Sequence, residues 1–159
     1  MNNRVVGILL FLFVASLISA QAQPPGPHSY PFGRYPARPV YKGISARPRL
    51  TTPTQRMFRT VLRNGARKGS NFAGHYTVVE WGCGSDCVEY AVVDALTGNV
   101  YDRDMPPTND DYACGLLYKP DSTLFVVEKS ATPNGDCKAY LYTWDGTRFV
   151  SVKRPAPGP

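Results

Sequence analysis

The residue types best suited to chemistry are concentrated in one stretch, which reads NFAGHYTVVEWGCGSDC. His75 changes its charge near neutral pH, and it is one of only two histidines in the chain. Ser85 and Asp86 follow on a loop between two cysteines, where glycines permit a tight turn. We therefore predict a binding site formed by His75, Ser85 and Asp86. An enzymatic alternative would use His75 and Asp86 as an acid–base pair.

No complete catalytic set accompanies these residues. Ser85 lacks the G-x-S-x-G context of a nucleophile elbow. The second histidine, His28, lies in a proline-rich segment. The acidic residues that follow are scattered over predicted strands and form no glycosidase-like pair: Glu80, Glu89 and Asp94. The sequence thus predicts no catalytic residue and no cofactor.

The chain contains four cysteines: Cys83, Cys87, Cys114 and Cys137. An even number of cysteines in an exported protein indicates two disulfides, although the spacing alone permits three pairings. We favour Cys83–Cys87 and Cys114–Cys137. The alternative is a zinc site that uses Cys83, Cys87 and His75.

The N-terminus has the three parts of a secretory signal. Arg4 supplies the positive charge, an apolar run follows from Val5 to Ile18, and Ala20-Gln21-Ala22 matches a cleavage site. The run is shorter than the ~20 residues of a membrane-spanning helix. We therefore predict a signal peptide over residues 1–22, a periplasmic or secreted protein, and no transmembrane segment after cleavage.

Length and charge restrict the domain count and the partner. Removing 22 of the 159 residues leaves 137, which is enough for one domain. Loss of Arg4 lowers the net charge from +6 to +5, which favours an anionic partner. We predict an unknown protein or an anionic envelope polymer. Nucleic acid is excluded because the basic residues do not interleave with aromatic residues on the strands. Much of the charge is arginine in the N-terminal third, without a dense patch.

The N-terminal third contains a leader and one helix. Residues 23–52 are rich in proline, tyrosine and arginine, which predicts an extended or disordered segment. Thr52 to Gln55 form a capping box with proline at the first helical position. Asn64-Gly65 gives the predicted stop. The apolar stripe of this helix, expected to be buried on a sheet, consists of Met57, Phe58, Val61 and Leu62.

The remainder alternates between apolar and polar residues and is divided by turn sequences. Strands are predicted at residues 76–81, 88–94, 99–102, 113–118, 123–128, 138–144 and 147–152. The predicted fold class is α+β, mainly β: an antiparallel meander of about seven strands, as a curved sheet or partly open barrel, with the N-terminal helix packed on it. The globular domain is predicted over residues 53–153, with a disordered tail at 154–159.

The first motif also carries a resemblance. NFAGHYTVVEWGCGSDC, followed by VVDALTGNVYD and by Cys137, Tyr140 and Trp144, resembles a family of small exported bacterial proteins over residues 58–150. The resemblance implies a location in the bacterial envelope or outside the cell. It brings no activity, substrate or catalytic residue with it.

Taken together, these observations favour a non-enzymatic binding module for a protein or an envelope polymer. The alternative is an enzyme that acts on such a polymer. Loss of turnover in a folded His75→Ala protein would distinguish the enzyme from the binding module.

Overall fold

A computed structural model describes residues 30–84, 87–108, 112–133 and 135–153. The predicted signal peptide and the C-terminal tail lie outside these residues. In chain order, the elements are a short 3-10 turn (Phe32–Arg34), helices α1 (Pro53–Met57) and α2 (Arg59–Ala66), and strands β1 (Tyr76–Gly84), β2 (Cys87–Asp94), β3 (Val100–Tyr101), β4 (Tyr112–Tyr118), β5 (Leu124–Ser130), β6 (Lys138–Trp144) and β7 (Phe149–Ser151). Within the described residues, no helix is long and apolar enough to cross a membrane.

The strands form two separate antiparallel sheets, in the orders β1-β2-β3 and β4-β5-β6-β7. The fold is therefore mainly β and antiparallel, as predicted, but a single curved sheet or barrel is wrong. The division falls between β3 and β4. Pro106 and Pro107 lie in this connection, and neither has an N–H group with which to continue a ladder of hydrogen bonds.

The two sheets pack face to face around an aromatic core. Alternate residues of each strand face this layer: Val78, Tyr90 and Val92 from the first sheet, and Phe125, Val127 and Trp144 from the second. The rings of Tyr90 and Phe125 stack across the interface, with centroids 5.2 Å apart. The Tyr76 hydroxyl donates to the carbonyl of Gly146, 3.1 Å away, on the opposite sheet.

Each outer face of the pair of sheets is also covered. Leu62 and Ala66 of α2 pack on the outward residues of the first sheet: Val79, Ala91 and Val93. On the second sheet, the outward residues Leu124, Val126 and Leu141 contact Tyr30, Phe32 and Tyr35. The layers are therefore helix, sheet, sheet and an N-terminal strap, which we define as residues 30–52.

Backbone hydrogen bonds attach the strap to both sheets. At the β4–β5 turn of the second sheet, the N–H of Ala37 donates to the carbonyl of Asp121, and the N–H of Thr123 donates to the carbonyl of Tyr35. Further along, the strap bonds the first sheet through Tyr41 to Gly74, Ala46 to Ala95 and Arg49 to Gly98. These bonds satisfy the backbone of a segment that is too rich in proline to form a regular strand.

The predicted helix start is confirmed. The Thr52 side chain accepts from the Gln55 backbone at 3.1 Å, and Gln55 bonds back to the Thr52 backbone. The element differs further along, because Phe58 separates two short helices. Leu62 is buried as predicted, at 1% exposure. Phe58 is only half-buried and Met57 is 74% exposed, so the predicted stripe is wrong at its N-terminal end.

Gly65 lies inside α2 instead of ending it, which corrects the predicted stop. A Cβ atom at this position would lie 2.5 Å from Cγ1 and 2.6 Å from Cγ2 of Val79. Val79 is buried at 4% exposure, so its methyl groups cannot easily move away. The glycine therefore permits close contact between helix and sheet.

We expect Gly65→Ala to destabilise the protein. Overpacking of a core typically costs ~1–3 kcal/mol, which outweighs the gain of ~1 kcal/mol in helix propensity. Urea unfolding should show a lower midpoint with an unchanged slope. Thr60→Ala, on the exposed side of the same helix, is the matched control and should be nearly neutral. A Gly65→Ala protein more stable than the wild type would contradict the close contact.

Candidate functional site

Asn71, which opens the sequence motif, holds the start of β1 in place. Its side-chain amide donates to the carbonyl of Val78 at 3.0 Å, and its side-chain oxygen accepts from the N–H of Val78 at 2.7 Å. The amide thereby replaces a neighbouring strand at this edge of the first sheet. Both hydrogen bonds are internal, so folding explains this residue.

The next residues of the motif join the two sheets. Phe72 is fully buried between them. Ala73 and Gly74 have φ angles of 44° and 84°, in the left-handed region. This conformation turns their N–H groups toward the β4–β5 turn, where Gly74 donates to the carbonyl of Pro120 at 2.7 Å. The motif therefore forms a structural junction between the sheets.

His75 is the half-exposed member of the motif. Its ring lies against Tyr76, with centroids 4.3 Å apart. Its Nε2 atom lies 3.8 Å from Oδ1 of Asp94. Asp94 already accepts from the N–H of Leu96 at 2.8 Å and from the hydroxyl of Thr97 at 2.6 Å. The carboxylate therefore organises the β2–β3 turn, and His75 lies beside it.

Of the predicted site residues, the structure describes His75. β1 and β2 pair from Tyr76 opposite Asp94 to Gly84 opposite Cys87. His75 precedes the first pair, whereas the bonded cysteines Cys83 and Cys87 lie at the other end of this hairpin. Eight residue steps of extended strand separate these ends by ~26 Å. Ser85 and Asp86 lie outside the described residues. The acidic neighbour of His75 is Asp94.

Both favoured disulfides are present. Cys83 and Cys87 are bonded with Cα atoms 5.2 Å apart, and Cys114 and Cys137 with Cα atoms 6.2 Å apart. The first bond occupies the sulfur atoms that the alternative zinc site would need. Among the described residues, no group of three or more histidine, cysteine or acidic side chains is placed to hold a metal ion.

A basic surface is the strongest charge feature of the described chain. Residues 47–68 contain seven basic residues and no acidic residue: Arg47, Arg49, Arg56, Arg59, Arg63, Arg67 and Lys68. Four of these follow one another at intervals of three, four and four. Arg56 lies on α1, before the break at Phe58, and Arg59, Arg63 and Arg67 have the spacing of one face of α2 and its C-terminal cap. We call this set, Arg56, Arg59, Arg63 and Arg67, the arginine face.

Three members of the arginine face are open to solvent: Arg56, Arg59 and Arg67. Arg63 is half-buried. The hydrogen bonds of the three exposed guanidinium groups go to backbone carbonyls or to the Asn64 amide. Within the described residues, none of the four arginines forms a salt bridge. The sequence was interpreted as lacking a dense patch, although the helical spacing of these arginines and the lack of any acidic residue before Glu80 indicate this face.

A groove runs along α2 between the helix and the edge of the first sheet. Its lining, which we call the polar groove, includes Thr60 and Asn64 on the helix, Lys68 just after the end of the helix, and Glu80 and Tyr118 on the strands. The groove has a volume of about 530 Å³, which is within the size range of small-molecule sites, roughly 300–1,000 Å³.

The strand side of the polar groove is held rigidly. The Tyr118 hydroxyl donates to Oε1 of Glu80 at 2.6 Å, across the two sheets. The Tyr118 ring stacks on Phe125 with centroids 5.7 Å apart and planes 7° apart. Burial, together with the hydrogen bond to Glu80, raises the pKa of Tyr118 well above its ordinary value, so the hydroxyl remains a donor at neutral pH.

Comparisons with protein-family models, with curated proteins and with solved structures give no match for this chain. Function must therefore be argued from the site itself.

Proposed function

We propose that the protein is an exported, non-enzymatic binding module that contacts an anionic polymer of the bacterial cell envelope through the arginine face. The observation that carries this proposal is the run of 22 residues, 47–68, with seven basic and no acidic side chains. The signal-like N-terminus and the two disulfides support export.

The geometry of the arginine face favours a polymer over a single small anion. Arg59 and Arg67 lie eight residues apart on α2 and its C-terminal cap, which corresponds to ~12 Å along a helix axis, and Arg56 on α1 extends the row beyond Phe58. A linear array of this length suits a ligand that repeats its negative charge. The planar guanidinium group of arginine forms paired hydrogen bonds with carboxylate or phosphate groups, and both are common charges of envelope polymers.

Binding is also favoured over catalysis by the position of His75. The hairpin register separates it from the cysteine loop by the length of β1. Asp94, its acidic neighbour, already accepts hydrogen bonds from the β2–β3 turn. An acid–base mechanism would need a substrate-facing pair, and His75 with Asp94 does not supply one.

We expect Arg56→Gln, Arg59→Gln and Arg67→Gln together to weaken binding to purified peptidoglycan and to inorganic polyphosphate. Three surface charge contacts of ~0.2–1 kcal/mol each correspond to about 3–160-fold. Wild-type binding should also fall as salt rises, because exposed charges are screened. Co-sedimentation with peptidoglycan and fluorescence titration with polyphosphate, both at 50–500 mM NaCl, would measure this.

The matched control removes the same charge elsewhere, with Arg34→Gln, Lys138→Gln and Lys153→Gln. These side chains are exposed and lie outside the arginine face. Equal loss in both triple variants would mean that net charge alone drives binding. If the wild type binds neither polymer at 50 mM NaCl, the proposed function is wrong.

A further inference from the structure

The polar groove lies directly beside the arginine face, on the same helix. Asn64 follows Arg63 in sequence and accepts from Nη1 of Arg67 at 3.3 Å. A polymer that follows the arginines therefore also passes the groove. The groove differs in its chemistry, because it combines a carboxylate with an amide, hydroxyl groups and one ammonium group.

Several of these groups can form further hydrogen bonds. Among the described residues, the side chains of Thr60 and Lys68 form no hydrogen bond, and the Asn64 amide uses only its oxygen. Glu80 accepts one bond from Tyr118, whereas a carboxylate has room for about four. The groove thus offers both donors and acceptors to a ligand.

Glu80 determines which part of an anionic polymer fits. Its carboxylate repels phosphate and carboxylate groups, so the charged groups of the polymer belong on the arginine face. The groove requires an uncharged part of the polymer that donates hydrogen bonds to Glu80 and also accepts hydrogen bonds from Asn64 and Lys68. Hydroxyl groups do both, and a sugar carries several of them close together.

We infer that the polar groove binds the uncharged, hydroxyl-rich backbone of the polymer, which makes the partner an anionic glycan. This inference rests on the proposed function of the arginine face. An acidic polypeptide fits less well, because its side chains add acceptors beside Glu80 and no hydroxyl donors. The Tyr118 hydrogen bond fixes the carboxylate before a ligand arrives, and such preorganisation favours binding.

The test combines Asn64→Ala with Glu80→Gln. Asn64 is exposed on a helix, and glutamine at position 80 can still accept from Tyr118, so the fold is retained. Three soluble probes are titrated: lysozyme-solubilised peptidoglycan fragments, poly-L-glutamate and inorganic polyphosphate. We expect the double variant to bind the fragments about tenfold more weakly, because it loses the Asn64 hydrogen bond and the charge that strengthens the bond to the acceptor at position 80, and to bind the other two probes within twofold of the wild type.

Glu89→Gln is the matched control, because Glu89 is also an exposed strand carboxylate with one hydrogen bond, from Nε1 of Trp81 at 2.9 Å. An equal loss in this control would overturn the inference. Wild-type binding to polyphosphate but not to the fragments would also overturn the inference, but it would not contradict the proposed function of the arginine face. If the double variant loses as much affinity for poly-L-glutamate as for the fragments, the groove accepts an acidic polypeptide and the glycan inference is wrong. Failure of all three probes would overturn the proposed function itself.

Discussion

Phe72→Ala should cost ~3–5 kcal/mol of unfolding free energy, the range for truncating a fully buried aromatic residue. Phe72 has 0% exposure and touches aromatic rings of the second sheet on several sides. The Phe125 ring lies edge-on at 5.6 Å, and the Phe149 ring is stacked at 6.0 Å. Because neither sheet can close around the missing ring without moving the other, we expect a cavity between them.

The matched control is Phe58→Ala, which removes the same side chain from a half-buried position. Phe58 stacks on Trp81 at 4.8 Å, and we expect a loss of ~1–2 kcal/mol because less apolar surface returns to water. Urea unfolding followed by circular dichroism measures both changes. Equal losses at the two positions would contradict the central role of Phe72.

Local patterns in the sequence predicted several elements well. The Thr52–Gln55 capping box set the helix start, and alternation between Lys138 and Trp144 predicted a strand that has the same bounds in the structure. These features depend on residues within one turn or one strand. The predicted disulfide pairs, Cys83–Cys87 and Cys114–Cys137, are also present.

The arrangement of the strands could not be predicted in the same way. Alternation with a period of two indicates that a strand has an inner and an outer face, but it does not identify the sheet on the other side. Val92 and Val93 look alike in sequence, yet one faces the second sheet and the other faces α2. The position of the N-terminal strap depends on backbone bonds such as Tyr41 to Gly74, which leave no sequence pattern.

The candidate site was only partly visible in the sequence for a related reason. Residues of unusual type drew attention to His75 and to the segment between Cys83 and Cys87; the register of β1 and β2 places His75 and these two cysteines at opposite ends of a hairpin, and Ser85 and Asp86 lie outside the described residues. The arginines of the N-terminal third were predicted to form no dense patch. The arginine face becomes visible once Arg56, Arg59, Arg63 and Arg67 are placed on α1 and α2, and the polar groove once the two sheets bring Glu80 and Tyr118 together.

Replacing both Cys114 and Cys137 by serine should lower the free energy of unfolding by ~3 kcal/mol. The disulfide closes a loop with a sequence separation of 23, and in the chain-entropy model the stabilisation by a disulfide increases with loop length. The bond joins the segments that begin β4 and β6, on either side of β5, so it ties three strands of the second sheet together.

Cys83→Ser with Cys87→Ser removes the other bond, whose sequence separation is only 4, and should cost about 1.5 kcal/mol less in the same model. Urea unfolding of the two double variants, with the wild type measured in oxidised and fully reduced forms, compares the bonds directly. The reduced wild type should be less stable than either variant, because it lacks both bonds. Two results would contradict this prediction: a wild-type midpoint for Cys114→Ser with Cys137→Ser, or a larger loss of stability in Cys83→Ser with Cys87→Ser. Either result would mean that the Cys114–Cys137 disulfide is not the main covalent support of the second sheet.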